Sequence, residues 1–209
     1  MTAPNQIPVG DHILSDFLDR LLEIFVAMDR EYERATGQYQ FQCDGCTDNC
    51  CLTRFYHHTY LEYHYLRRGY EKLDLRKRSE ILVKAREVCR VTAKADEEKM
   101  PVRIMCPLND DSLCDLYPCR PMICRMHGIP HELRKPGQNA IHGPGCATFD
   151  ARCANKPYFK FDRTPYYKEM AMLENKFKQA AGLEGRIKMT IAEMIISITQ
   201  KKYNAQKRS

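Results

Sequence analysis

The chain has 209 residues, 44% of them hydrophobic and 29% charged, which is the composition of a globular protein and excludes a disordered tail. Its 33 basic and 27 acidic side chains leave a net charge of +6 and are interleaved, which argues against a nucleic-acid binder. Eleven cysteines are the outlying number.

The opening, MTAPNQIPVGDHILSDF, lacks a basic segment followed by an apolar one, so no export signal is read there. The longest apolar run, MIISI, falls far short of the roughly 18 residues that cross a bilayer. The expectation is a cytoplasmic chain with no membrane partner. In a reducing compartment, dense cysteine points to metal or redox chemistry rather than disulfides.

Residues 11–35 read as an amphipathic helix. Asp11 caps its start, Leu14, Phe17, Leu18, Leu21, Phe25 and Met28 share one face, and Gly37 ends it. The first cysteine cluster, CDGCTDNCC at 43–51, follows. Cys43, Cys46 and Cys50 can converge on one centre, since Cys46 and Cys50 share a face if the segment is helical. Cys51 diverges from Cys50, because neighbouring side chains point about 100° apart in a helix. The pair suits two centres, or two edges of one cluster.

Residues 54–70, RFYHHTYLEYHYLRRGY, combine tyrosines with histidines and arginines. They could stack a planar ligand. The preferred reading is an amphipathic helix whose aromatic face covers the metal centres. Residues 72–98 form a further helical stretch with Ile81, Leu82, Ala85, Val88, Thr92 and Ala95 on its buried stripe, and Cys89 lies there as a small hydrophobe.

Residues 101–157 change character. Prolines recur and six cysteines fall among them, so long regular elements are not expected. Such a segment buries little apolar surface and needs a staple, which a metal supplies. Two helices close the chain, one carrying Met170, Leu173, Phe177 and Ala181, the other Ile187, Ile191, Met194, Ile195 and Ile198, separated by Gly182 and Gly185. A basic tail ends it.

The ordered pattern C-x2-C-x3-C-C, then C-P-L, then C-x-L-Y-x2-R-P-x2-C-R, then a distal cysteine, resembles the YkgJ-like cysteine-cluster proteins. These carry a zinc- or iron-chelating domain with eight cysteines. The resemblance runs over residues 43–146. It implies a metal set of Cys43, Cys46, Cys50, Cys51, Cys106, Cys114, Cys124 and Cys146. It assigns no reaction. A related branch resembles flagellin lysine methylases, but no glycine-rich turn for a methyl donor is visible here. Cys89, Cys119 and Cys153 fall outside the pattern and read as plain thiols, with Cys119 the strongest exception because it sits between two of the implied ligands.

Thiolate sites are anionic, about −2 for four around Zn²⁺, so they call for nearby donors. Arg120 and Arg125 are assigned that role toward the cofactor. The alternative is pairing with carboxylates such as Asp110, Asp111 or Asp115. His57, His58, His127, His131 and His142 lie near cysteines, but Pro130 separates His127 from His131, and most are read as non-ligands. No nucleophile elbow, P-loop, zinc-protease or dinucleotide motif is present.

The whole chain, 1–209, is read as one domain. It has an N-terminal helix over 11–35, a cysteine-cluster core over 43–153, and C-terminal helices with a basic tail over 158–209. The fold class is mainly α, with helices packed around an irregular, loop-rich, metal-stapled segment. The expected function is metal binding, as an iron–sulfur cluster or zinc. The C-P step and the vicinal cysteines favour iron–sulfur. Alternatives are a metal-cluster enzyme (electron transfer or a protein modification such as lysine methylation) and a zinc-scaffolded interaction module whose basic tail and tyrosine-rich helix contact a protein partner or RNA.

Overall fold

A computed structural model describes residues 10–42, 50–135 and 137–206. Seven α-helices and two small antiparallel hairpins make it mainly helical among the described residues. Helix α1 spans Asp11–Tyr39 and buries Leu18, Leu21, Phe25 and Met28, the face its periodicity predicts. Two details differ from expectation. Gly10 rather than Asp11 occupies the N-cap position, leaving Asp11 in the first turn. The helix also runs through Gly37 and ends at Gln40, whose φ of 48° is left-handed. Tyr39 explains the extension: it is buried edge-on against Phe149 and Phe159, so the last turn has a packing partner.

Helix α2 spans Tyr60–Tyr70, and the stretch before it is not helical. His57 is held extended there by two backbone hydrogen bonds with Met189, of 2.8 and 3.0 Å. The start of α2 is fixed by Thr59, whose hydroxyl accepts from the Glu62 N–H at 3.1 Å and donates to the Glu62 carboxylate at 2.7 Å. The Glu174 carboxylate accepts from the N–H groups of Tyr60 and Leu61, at 2.8 and 3.2 Å. Gly69 on α2 permits the close approach of the Tyr117–Cys119 turn, since a Cβ there would lie 2.5 Å from the Cys119 sulfur.

Helix α3 spans Leu75–Glu97, with the Asp74 carboxylate accepting from the Lys77 N–H at 2.8 Å. Ile81, Ala85, Thr92 and Ala95 are buried, while Leu82, Val88 and Cys89 are partly covered. Helices α4 (Met122–Met126) and α5 (Ala147–Cys153) are short. Helices α6 (Thr164–Ala180) and α7 (Ile191–Gln206) close the fold, and Ile187 lies ahead of α7 rather than in it. Helix α3 packs along α7, and α1 against α2, α4 and α6. Leu21, Phe25, Leu61, Leu66, Phe177 and Met194 are fully buried where these layers meet, each stabilising the fold by roughly 1.5–3 kcal/mol.

Within 101–157 no element exceeds the 7 residues of α5. Hairpin β1–β2 pairs Asn109–Asp110 with Leu113–Cys114, and hairpin β3–β4 pairs His131–Arg134 with Ala140–Gly143. No described helix is long and apolar enough to cross a membrane.

Candidate metal centre

Three chain segments bring cysteines together. The first is the short 3-10 turn Cys50–Leu52, which carries Cys51. The Cys51 carbonyl accepts from the Cys106 N–H at 2.9 Å. The second is the loop into β1 and its hairpin. Cys106 lies at its entrance and Cys114 on β2, and the Asp111–Ser112 turn between the strands has φ of 46° and 68°. The third is α4, which carries Cys124. Its first N–H, from Met122, donates to the buried Glu62 carboxylate of α2 at 2.9 Å, so α4 is docked on α2.

Cys51, Cys106, Cys114 and Cys124 are electrostatic neighbours. Burial pushes Cys114 up to about 11 and Cys124 to about 12, and like charge on Cys51 adds to both. Cys106 is raised well above the usual thiol range, first by burial, then by Cys124, Cys51 and Cys114. Two backbone amides oppose this. The Leu108 N–H donates to the Cys106 sulfur and the Leu116 N–H to the Cys114 sulfur, the same two-residue step in CPL and CDL. All four cysteines line one cavity of about 190 Å³.

Other members of the expected set are placed differently. Cys43 and Cys46 lie outside the described residues, and of Cys50 only the backbone turn is described. The Cys146 sulfur accepts from the Phe149 N–H at 3.4 Å at the start of α5, and Cys146 does not line the cavity. Among the described residues, no three Cys, His, Asp or Glu side chains are already arranged to hold a metal ion. The four thiols are thus gathered but not closed around a common point. Their chemistry fits a thiophilic metal, since they supply soft donors with N–H groups aimed at two of the sulfurs.

The two arginines separate. Arg125 is buried and fully engaged: Nη1 donates to Asp29 at 2.6 Å, Nε to the Arg120 carbonyl at 2.8 Å, and Nη2 to the Pro118 carbonyl. It also lies over the Phe25 ring at 4.2 Å. Arg120 stacks on Tyr117 at 3.4 Å and reaches Asp29 only at 3.7 Å, while its Nε is buried without a partner. Its charge lowers Cys114 and Cys124. Asp110 and Asp115 pair with Lys77 at 2.6 and 3.0 Å, and Asp110 with Lys84 at 3.1 Å, a clamp that holds the hairpin on α3.

The remaining cysteines stand apart. Cys119 packs against Gly69, and its sulfur feels Arg125, Lys72 and Arg68 rather than the other thiols. Cys153 is buried beside the Tyr39 carbonyl, and Cys89 sits near Glu193 and Arg54. Among the histidines, His57 and His127 both line the cavity, His57 buried and His127 edge-on to Phe55, while His58 and His142 are exposed. The parts that sequence reasoning missed are the Leu108 and Leu116 amides and Glu62. The repeated Cys-x-Leu step was the available signal for the first two.

No family model matches the chain, and no curated protein or solved structure does.

Proposed function

We propose that this chain is a cytoplasmic metal-binding protein that chelates an iron–sulfur cluster or zinc through its cysteine cluster. The observation that carries the reading is the gathering of Cys51, Cys106, Cys114 and Cys124 from three segments around one cavity. Enclosed thiols whose ionisation lies near 11 to 12 stay protonated at neutral pH, and only a bound cation offsets the cost of ionising them together. Cys43, Cys46, Cys50 and Cys146 complete the proposed ligand set. Arg120, with N–H groups unclaimed beside Cys114 and Cys124, supplies countercharge to the anionic site. Arg125 serves the same site by fixing the backbone at Pro118 and Arg120.

The bound metal contributes a fold staple and, if it is an iron–sulfur cluster, one-electron chemistry. Anaerobic purification with metal analysis and an absorption spectrum tests the proposal. Bound iron with broad visible absorption supports the cluster. Bound zinc without colour supports the structural ion. Folded protein free of both metals overturns the reading.

A further inference from the structure

The cavity beside the sulfurs has two kinds of wall. One part is polarisable and cationic, with Cys106, Cys114, Cys124 and Arg120. Another is hydrocarbon, with Val88 and Thr92 from α3 and Ile191 and Ala192 from α7. Its volume is about 190 Å³, and an apolar cavity of about 150 Å³ holds a benzene molecule. Small-molecule sites share this make-up, an apolar body with few polar groups.

Charge narrows the occupant. Among the described residues, the lining includes Arg54, Arg120 and Arg125 but no Asp or Glu. Arg54 gives both Nη atoms to Asp96, at 2.7 and 2.8 Å, and Arg125 is fully engaged. Arg54 is left with only its Nε unpartnered, whereas Arg120 has no hydrogen bond from Nε and reaches Asp29 from Nη2 only at 3.7 Å, so it alone has a fork to offer among the described residues. A guanidinium fork matches a carboxylate with two parallel N–H donors, and Tyr117 covers the face of this one. Leu113 and Tyr117 also line the cavity and are 69% and 57% exposed, which marks an apolar mouth.

We propose that this cavity binds a monocarboxylic acid of about one ring in size, with its carboxylate on Arg120 and its apolar body between α3 and α7. The proposal rests on the metal-site reading for the sulfur end alone. The hydrocarbon end is built by helices that carry no proposed ligand.

Titration of the full chain as purified, with its metal content measured alongside, tests it. Benzoate, benzyl alcohol and benzylamine serve as probes in calorimetry. Benzoate is expected to bind saturably and at least tenfold more tightly than the other two. Val88→Trp and Ala192→Leu fill the hydrocarbon end from two different helices. Each is expected to weaken benzoate at least tenfold with the metal-to-protein ratio unchanged, and Ala192→Leu carries the test if the larger substitution prevents folding. Benzoate that does not saturate, amine or alcohol that binds as tightly, or a folded filled variant that binds like the parent overturns the proposal. Failure of the metal reading shows separately, as protein without metal.

Discussion

The Cys106 amide donates to the Cys51 carbonyl across 2.9 Å, a bond that ties the two cysteine-rich segments of the chain together. It places the sulfur of the CDGCTDNCC stretch nearest its end beside the CPL and CDL steps. Substitution of the gathered thiols should therefore act as a set. Cys51→Ser, Cys106→Ser, Cys114→Ser and Cys124→Ser are each expected to lose most of the bound metal. They should also lower the unfolding temperature toward that of chelator-treated protein. A site filled a thousandfold above its dissociation constant adds about 4 kcal/mol, and that amount should vanish with the metal. Cys89→Ser, between α3 and α7, should keep the metal. Equal metal loss in Cys89→Ser would show that the loss reflects unfolding rather than ligation.

The two arginines should fail in different ways. Arg125→Met leaves two carbonyls and the partly exposed Asp29 carboxylate without their donor, and should cost about 2–3 kcal/mol in denaturant unfolding. Arg120→Met removes no hydrogen bond made among the described residues, so its cost should stay near 1 kcal/mol. Its signature should appear at the metal, as faster loss to a chelator or a shifted reduction potential. Identical stability losses for the two variants would contradict this division.

The amphipathic faces of α1 and α3 were legible because they depend on local spacing: Leu21, Phe25 and Met28 are buried as their period requires, and so are Ile81 and Ala85. Contacts made far along the chain were not legible. The helix expected over 54–70 begins only at Tyr60, because Met189 claims the backbone of His57. Gly37 did not stop α1, because Tyr39 finds Phe149 and Phe159. The cysteine spacing marked a site, but Arg120 and Arg125 find Asp29 on α1 rather than the aspartates near them in sequence. Cys119 lies between proposed ligands in sequence, yet it packs on Gly69 of α2 and does not line the cavity.

Glu62 and Glu174 tie α2, α4 and α6 through helix N-termini, where a carboxylate is favoured by the backbone N–H groups it accepts from. Glu174→Ala should cost about 1–2 kcal/mol, since it leaves the Tyr60 and Leu61 amides unpaired. Burial raises Glu174 above its ordinary 4.5, so the folded state holds that proton longer than the unfolded chain does. The contribution is present below 4.5 and is lost as pH rises through the folded value. Glu174→Gln keeps one acceptor and never ionises. Its stability deficit relative to the parent should shrink between pH 4 and pH 7 in thermal unfolding, and a deficit that grows with pH would contradict the assignment.

His131 gives the opposite slope. It sits on β3 with its ring against Gly143, and burial lowers it from 6.5 to about 4, with Arg163 and His127 adding repulsion and the Ile129 backbone opposing them slightly. A depressed imidazole means the unfolded chain takes up the proton first. Stability from this group is therefore complete above about 6.5 and is lost as pH falls toward 4. The ring is only half covered, so solvent screening reduces the effect to about 1–2 kcal/mol. His131→Leu cannot take up that proton. Parent and variant should lose stability together through carboxylates such as Glu31 and Asp74, which hydrogen bonds from Arg34 and from the Lys77 N–H hold low in both. The difference between them should appear only between pH 6.5 and pH 4, where the parent falls more steeply. Parallel curves across that window in denaturant unfolding would assign the acid sensitivity elsewhere.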